Sequence, residues 1–216
     1  MTNAVPLASS PGQANPLPTC RGLRMSKRIS QITKDFEDLF GSMPEVIVKA
    51  PGRVDLMGAH TDYNEGYVLP VAVNVDVMAA GRLRDDEKIA VYSGNFDTLV
   101  EFALRAIEYD NVNTWSNYVR GVVHFLQEAG VGLRGVNMVI HGNVPIGSGL
   151  SSSAAIEMAV GFLLQTLLGF EMSGPDLALI GQAAENKFVG VNTGIMDQFI
   201  SRLGTKDTAL FLDCRT

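Results

Sequence analysis

Apolar and polar residues follow two periods along this chain, which together predict a mixture of helices and strands. Apolar residues recur every three or four positions over 27–40 and over 119–126, a spacing typical of amphipathic helices that here end at Gly41 and Gly130. Shorter runs that are apolar or alternating predict β-strands. These runs lie at 46–48, 67–82, 89–92, 136–140 and 208–212. Pro51 and Gly52 follow the first run and are expected to end that strand.

Two further helices are predicted in the second half of the chain. The segment that ends at Leu168 is apolar on most sides, so we expect this helix to be deeply buried. Pro175 stands at a first helical turn, and apolar spacing continues from there to Phe188. Strands and helices alternate without a regular strand–helix–strand order, which favours an α+β fold with a mixed β-sheet packed against helices.

Composition excludes several classes of protein. The chain has 216 residues, is 46% hydrophobic and carries a net charge of −6; this suffices for one large or two small domains and argues against a nucleic-acid partner. No apolar run approaches the roughly 20 residues of a membrane span, so no membrane partner is expected. Cys20 and Cys214 do not form a disulfide framework, which favours a cytoplasmic location.

The first 25 residues differ in composition from the rest. They are rich in Pro, Ser, Asn and Ala and have no sustained apolar stretch, so they do not resemble a secretory signal. The sequence predicts a disordered leader over 1–25, and an extension upstream of a start at Met25 is the alternative.

Residues 142–155, the glycine–serine segment, follow a predicted strand and open a predicted helix. Gly147 and Gly149 allow a tight turn close to a ligand. Three serines then fall where helix amide groups lack partners and the helix dipole is positive, which suits a triphosphate. A serine hydroxyl there also suits Mg²⁺. The alternative is a capped, buried helix; a P-loop is excluded because no lysine follows the glycines.

Residues 52–64 form a second polar segment, with Arg53, Asp55, His60 and Asp62. Carboxylate and imidazole groups hold sugar hydroxyls well, because they accept and donate hydrogen bonds in several directions. A polar loop stabilised by Asx turns is the alternative interpretation.

The glycine–serine segment resembles the second signature of the GHMP kinases, a superfamily that includes galactokinases and mevalonate kinases. The resemblance implies a fold like domain 2 of ribosomal protein S5, with ATP and Mg²⁺ as ligands. It also implies that the segment wraps the ATP phosphates through Pro145, Gly147, Ser148, Gly149, Leu150, Ser151, Ser152, Ser153 and Ala154.

The 52–64 segment is similar to the galactokinase signature, as are 115–121, 184–186 and 194–198 in the same order. This resemblance implies ATP-dependent phosphorylation of the C1 hydroxyl of galactose. Two residues depart from the pattern: Asp55 replaces the usual Asn, and Ala59 replaces a Glu that binds the C6 hydroxyl. Ala59 therefore predicts weaker or relaxed C6 recognition, extending to a uronate. The sugar would contact Ala59, His60, Asp62, Gly194 and Asp197.

Catalytic and metal-binding residues follow from the same resemblance. Taken alone, Asp197 is better explained as a cap at a helix start. The resemblance implies instead that it would orient or deprotonate the attacking hydroxyl, and that Arg53 would screen the phosphoryl charge. Glu185 lies in an apolar run where a lone carboxylate is costly, and with Ser152 it would bind Mg²⁺. Trp115 would lie beside the adenine, with plain core packing as the alternative.

The resemblance covers the amino-terminal part of the family and implies a domain over 26–216 without the carboxyl-terminal GHMP domain. We therefore expect little kinase activity from this polypeptide alone and self-association through exposed apolar surface. Two other functions stay open: a non-catalytic sensor of galactose and ATP, and a kinase for another sugar, which Ala59 favours.

Overall fold

The computed structural model describes residues 20–145 and 147–215, with side chains from Met25 onward. Helix α1 spans Cys20–Phe40, so it begins seven residues before the predicted helix and includes the last residues of the predicted leader. The rest of that leader, 1–19, lies outside the described residues.

A five-stranded mixed sheet forms the centre of the fold, in the order β1-β3-β6-β4-β5. All neighbours in it are antiparallel except β4 and β6. A separate antiparallel pair joins β2 and β7. The strands are β1 Val46–Asp55, β2 Tyr67–Val68, β3 Pro70–Leu83, β4 Lys88–Ser93, β5 Thr98–Ala103, β6 Val136–Gly142 and β7 Leu212–Asp213.

Helices cover both faces of this sheet, which confirms the predicted α+β class. Beyond α1 they are α2 Ser116–Glu128, α3 Ser152–Leu168, α4 Gly174–Ala183, a π-helical turn Ala184–Val189, and α5 Met196–Leu203. Among the described residues, no helix combines the length and the apolar character that crossing a membrane requires.

Strand alternation divides the core into two parts. In β3, Met78 and Ala80 pack in a small cluster with Ile32 and Phe36 of α1. Residues 77 and 79 of the same strand point the other way, because successive side chains alternate across a sheet, and pack in the large cluster with α2 and α3. Helix α3 is deeply buried there, as its apolar sequence predicts.

The first strand corrects one prediction, since Pro51 and Gly52 were expected to end it. The strand instead continues to Asp55, with a register shift between Pro51 and Arg53. Tertiary contacts explain the continuation: the Arg53 amide donates to the Leu150 carbonyl at 3.1 Å. A Cβ on Gly52 would lie 2.6 Å from that same carbonyl oxygen. The end of β1 is therefore docked against the glycine–serine segment.

Short elements account for the other differences. The predicted strand 67–82 is divided at Leu69, and the last strand is Leu212–Asp213 rather than 208–212. Strand β5 and helix α5 were not predicted. β5 leaves Leu99 exposed, which breaks its apolar alternation, and α5 has eight residues, too few for a clear helical period.

Candidate functional site

The glycine–serine segment turns sharply before it enters α3. Gly147 and Gly149 have φ values of 72° and 74°, which only glycine adopts readily. The hydroxyl of Ser148 donates to the Pro145 carbonyl at 2.7 Å. Ser151 has φ 56° and ψ 59° immediately before the helix. Ser151, the last residue of the segment in the left-handed conformation, therefore lies immediately before the amino terminus of α3.

The amide groups at the start of α3 lack a side-chain cap. Ser151 occupies the capping position but makes no capping hydrogen bond, because its hydroxyl hydrogen-bonds Asp197 instead. The helix begins at Ser152, so two serines rather than the three expected lie on its first turn. Free amides at a helix amino terminus, with no acidic residue in the first turn, suit an anionic ligand.

A wide cleft of about 770 Å³ opens on one side of this segment. It brings together residues from β1, from the loop after β1, from the glycine–serine segment and from the start of α5. Its lining includes Arg53, Asp55, Ala59, His60, Asp62, Tyr63, Gly149, Leu150, Gly194 and Asp197.

Arg53 and Asp197 form a two-pronged ion pair in this cleft. Arg53 Nε lies 2.6 Å from Asp197 Oδ1, and Nη2 lies 2.8 Å from Oδ2. The remaining nitrogen, Nη1, donates to the Gly149 carbonyl at 2.5 Å. With the Ser151 hydroxyl, the Asp197 carboxylate accepts three side-chain hydrogen bonds, which fix its orientation next to the glycine–serine segment.

The loop after β1 places Asp62 and His60 at the cleft. Asp62 Oδ2 accepts a hydrogen bond from the Met196 amide at 3.3 Å, so it joins this loop to the start of α5. A Cβ on Gly194 would lie 1.9 Å from the same oxygen, which explains why glycine stands there. His60 has a φ of 69°, and its Nδ1 contacts the Tyr63 hydroxyl.

Ala59 is exposed and lines the cleft with its small side chain. Nearby, the Asp55 carboxylate accepts a hydrogen bond from the Met57 amide at 3.1 Å. The side chain of Ala59 has no hydrogen-bonding group, so a ligand beside it contacts a methyl group.

A narrower cleft of about 160 Å³ opens on the other side of the glycine–serine segment, lined by Ser152 and Ser153. Trp115 also lines it and stacks on Phe96, with ring centroids 5.9 Å apart and planes 9° apart. The indole nitrogen is buried and has no hydrogen-bond partner among the described residues. The cleft thus offers an aromatic surface to a flat ligand.

Glu185 lies beneath the serines and is 3% exposed. The hydroxyls of Ser153 and Thr193 and the Gln198 amide all hydrogen-bond its carboxylate. Burial raises the pKa of Glu185, these hydrogen bonds lower it, and the charge of Asp197 raises it further. Its backbone carbonyl accepts hydrogen bonds from the amides of Gly190 and Val191, immediately after the π-helical turn, which anchors its position.

The oxygen ligands around Glu185 fit Mg²⁺ in type. Mg²⁺ binds proteins through one or two carboxylates together with substrate phosphates and water, so a single carboxylate beside a serine hydroxyl is sufficient. The described residues contain no group of three or more His, Cys, Asp or Glu that would hold a metal ion. One cause that lowers the pKa of Glu185 is a hydrogen bond with the Ser153 hydroxyl rather than with that of the predicted Ser152, so Ser153 is the serine that we place beside this carboxylate.

Two buried polar residues were not assigned from the sequence. Glu157, in α3, and Gln198, in α5, are both fully buried, and the Gln198 amide donates to Glu157 at 3.0 Å. Burial raises the pKa of Glu157 well above its usual value, and the charge of Glu185 adds to this. The sequence did contain a signal for Glu157. A glutamate within an apolar helix is expected to be buried, and a buried carboxyl group requires a partner.

Many of the predicted residues line one of the two clefts, whereas six line neither: Pro145, Gly147, Ser148, Ser151, Ala154 and Glu185. Arg53, Ala59, His60, Asp62, Gly194 and Asp197 lie on the wide cleft, and Trp115, Ser152 and Ser153 lie on the narrow one. Ala154 is fully buried and lies behind the segment instead of on its surface.

Comparisons with known proteins show which families this chain is similar to. Residues 117–205 match the family model of the GHMP kinases N terminal domain, and residues 34–83 match the galactokinase galactose-binding signature. A galactokinase from Staphylococcus carnosus is 44% identical over 191 residues, which cover 87% of this chain and 49% of the relative.

Solved structures show the same similarity. Lactococcus lactis galactokinase complexed with galactose superposes with a TM-score of 0.83 at 39% identity, covering 88% of this chain and 50% of that one. Methanococcus jannaschii mevalonate kinase superposes at 0.66 with 18% identity, over 79% of this chain and 54% of that one, and shows the fold alone. The chain spans about half the length of the relatives it matches.

Proposed function

Because the chain belongs to the GHMP kinases and is similar to galactokinases over most of its length, we propose that it binds ATP and galactose for phosphorylation of the sugar's C1 hydroxyl. The nucleotide base occupies the narrow cleft, the sugar occupies the wide cleft, and the phosphates lie on the glycine–serine segment between them.

One observation carries this proposal: the same short segment lines both clefts. Gly149 and Leu150 face the wide cleft, and Ser152 and Ser153 face the narrow one. The uncapped start of α3 therefore lies between a surface for a flat base and a polar cleft for a sugar. Phosphoryl transfer needs such an arrangement, because positioning and charge stabilisation supply most of the catalysis.

Asp197 receives the proton in the proposed reaction. As the C1 oxygen attacks the γ-phosphorus, the hydroxyl proton passes to the Asp197 carboxylate, and the bond from the γ-phosphorus to the β-phosphate oxygen breaks to release ADP. Arg53 holds the carboxylate from one side. Its guanidinium adds a positive charge beside the phosphates, and the sugar is oriented by His60 and Asp62.

The start of α3 binds the phosphates in this proposal through its amides and serine hydroxyls. Glu185 and a neighbouring serine would hold Mg²⁺, which would neutralise phosphate charge when bound with the nucleotide. Trp115 and Phe96 present the aromatic surface for the adenine.

Calorimetry and phosphorus NMR test the proposal on the purified chain. We expect galactose and ADP with Mg²⁺ each to bind at one site, and neither to exclude the other. Any galactose 1-phosphate formed from ATP should be lost in Asp197→Asn. Failure of both ligands to bind, or competition between galactose and ADP for one site, would contradict the proposal.

A second candidate substrate is a sugar altered at C6, and the exposed methyl group of Ala59 in the wide cleft favours it. The C6 hydroxyl of galactose gains no hydrogen bond from the alanine side chain. A sugar with a deoxy or bulkier C6 group therefore loses no hydrogen bond at this position. We expect Ala59→Glu to strengthen galactose binding relative to 6-deoxygalactose and to weaken binding of galacturonate through charge repulsion.

Ala129→Glu is the matched control, because it adds the same carboxylate at an exposed position outside the lining of the wide cleft. The affinities for the three sugars, measured by calorimetry, should be ranked alike in this control and the unmodified chain. An unchanged ranking in Ala59→Glu would remove Ala59 as a determinant of specificity.

A further inference from the structure

A single buried side-chain amide joins two carboxyl groups beneath the phosphate-binding segment. Gln198 Nε2 donates to Glu157 Oε2 at 3.0 Å and to Glu185 Oε2 at 2.8 Å. Gln198 and Glu157 are 0% exposed and Glu185 is 3% exposed. Three elements thus meet at one nitrogen atom: α3, the π-helical turn and α5.

Stability alone does not account for this cluster. Glu157 Oε1 and Gln198 Oε1 are buried without a hydrogen-bond partner among the described residues, and such atoms are costly. Apolar side chains of similar volume often stabilise a core as well as a buried polar network does, or better. The polar cluster therefore lowers the stability of the fold, and a function in the candidate site would explain why it is present.

The placement of Gln198 indicates that role. It directly follows Asp197 on the first turn of α5, and its amide reaches Glu185, whose carboxylate also accepts from Ser153 at the start of α3. Glu157 lies on the second turn of α3, and its hydrogen bond with Gln198 fixes the orientation of the Gln198 amide. One side chain thereby links the carboxylate of Glu185 to the element that carries Asp197.

We propose that Gln198 is a positioning residue that, anchored by Glu157, holds the Glu185 carboxylate in the orientation that binds Mg²⁺ beside Ser153. This inference rests on the proposed function. It assigns to Gln198 and Glu157 a part in metal-dependent nucleotide binding and no contact with substrate.

The test compares ADP binding to the chain in MgCl₂ and in EDTA. The ratio of the two dissociation constants measures the gain from Mg²⁺, and Gln198→Met, which keeps the volume but removes the donors, should reduce that gain by about tenfold or more. Affinity in EDTA should be unchanged. A purely structural role would instead alter both affinities together or neither, with a lower melting temperature.

Substitutions at Glu157 give a second measurement that does not depend on Gln198→Met folding. Glu157→Gln retains an oxygen to accept from Gln198 and adds a donor for the unpartnered Gln198 oxygen, so it should keep the gain from Mg²⁺. Glu157→Met removes the anchor and should reduce the gain. Gln165→Met is the matched control and should keep the full gain. Gln165 is partly buried, and its side-chain oxygen, like that of Gln198, has no hydrogen-bond partner among the described residues.

The outcomes separate this inference from the function on which it rests. If Glu185→Gln loses the gain while Gln198→Met and Glu157→Met keep it, the positioning role is wrong and the proposed function stands. If Glu185→Gln keeps the gain, the metal assignment fails and the inference fails with it. Absence of ADP binding in the unmodified chain would overturn the proposed function itself.

Discussion

Arg53 and Asp197 lie 144 positions apart in the chain and form a two-pronged ion pair at 2.6 and 2.8 Å. Arg53 lies near the end of β1 and Asp197 lies on the first turn of α5. Their side chains are 16% and 17% exposed, so water screens the pair only in part. The pair closes one wall of the wide cleft and contacts the glycine–serine segment through Gly149.

The first prediction concerns the charge of Asp197. Asp197→Asn keeps the size of the side chain but leaves the Arg53 guanidinium without its counter-charge, so we expect the free energy of unfolding to fall by about 1–3 kcal/mol. Any phosphoryl transfer to galactose that the unmodified chain supports should be lost, because the proton acceptor is removed. Urea unfolding and phosphorus NMR measure the two effects.

Asp207→Asn is the control for that change. Asp207 pairs with Lys206 on the surface, where both side chains are about 80% exposed, and exposed pairs contribute little to stability. We expect neither stability nor phosphoryl transfer to change measurably. Equal effects of the two substitutions would show that the Arg53–Asp197 pair has no special role.

The second prediction concerns the contact between Gly194 and Asp62. A methyl group at position 194 cannot coexist with the Asp62 carboxylate, since the Cβ would lie 1.9 Å from Oδ2. Gly194→Ala should therefore displace Asp62 and reduce galactose affinity by about tenfold, or about 1.4 kcal/mol. ADP affinity should not change. Calorimetry with each ligand measures both constants.

Gly132→Ala provides a glycine control, because a Cβ at that exposed position meets nothing within 4 Å. It should bind both ligands with the affinities of the unmodified chain. Full galactose affinity in Gly194→Ala would indicate that Asp62 does not contact the sugar.

The third prediction uses Trp115, the single tryptophan of the sequence. It lines the narrow cleft and stacks on Phe96, so a nucleotide base entering the cleft should change its fluorescence. We expect a saturable change on titration with ADP, with the dissociation constant that calorimetry gives. Galactose alone should change the emission much less. Unchanged emission despite calorimetric ADP binding would place the base elsewhere.

The fourth prediction concerns the pH dependence of stability. Burial raises the pKa of Glu157 above its usual value of about 4.5, so the folded chain keeps a proton that the unfolded chain releases. The stabilisation that results is full below about pH 4.5 and is lost as pH rises towards the folded-state pKa. Glu157→Gln has no such proton and should gain stability relative to the unmodified chain as pH rises.

Urea unfolding in EDTA between about pH 5 and pH 8 measures this difference. One retained proton corresponds to a slope of about 1.4 kcal/mol per pH unit. Glu171→Gln, at an exposed position, should give a curve parallel to that of the unmodified chain. A parallel curve for Glu157→Gln as well would show that Glu157 titrates alike in both states.

Sequence patterns predicted the main elements where the signal is local. The period of Val119, Val122 and Val123 predicted α2, and the apolar run before Leu168 predicted a buried α3. The end of β1 was predicted wrongly, because Pro51 and Gly52 are breakers in isolation. Pairing with β3 and contact with Leu150 extend the strand through them, and neither contact is visible from neighbouring residues.

The candidate site was also predicted in part from the sequence and decided in part by the tertiary structure. Motif resemblance identified Arg53, His60, Asp62, Glu185 and Asp197 as residues of one kind of site, and the structure brings four of them to one cleft with Glu185 beneath the adjoining segment. Ser151 was expected to bind phosphate, but its hydroxyl turns to Asp197. Asp197 lies 46 positions further along the chain, so this contact is not visible from the residues next to Ser151.

By itself, the sequence determined the kinds of elements and the residue types available for the chemistry, and it predicted the start of α3 as a candidate anion site. These depend on periodicity and backbone hydrogen bonding within a few residues. Only the tertiary structure decided that Gln198 joins Glu157 to Glu185 and that Arg53 meets Asp197. Contacts between residues so distant in the chain depend on sheet register and helix packing, which are properties of the whole fold.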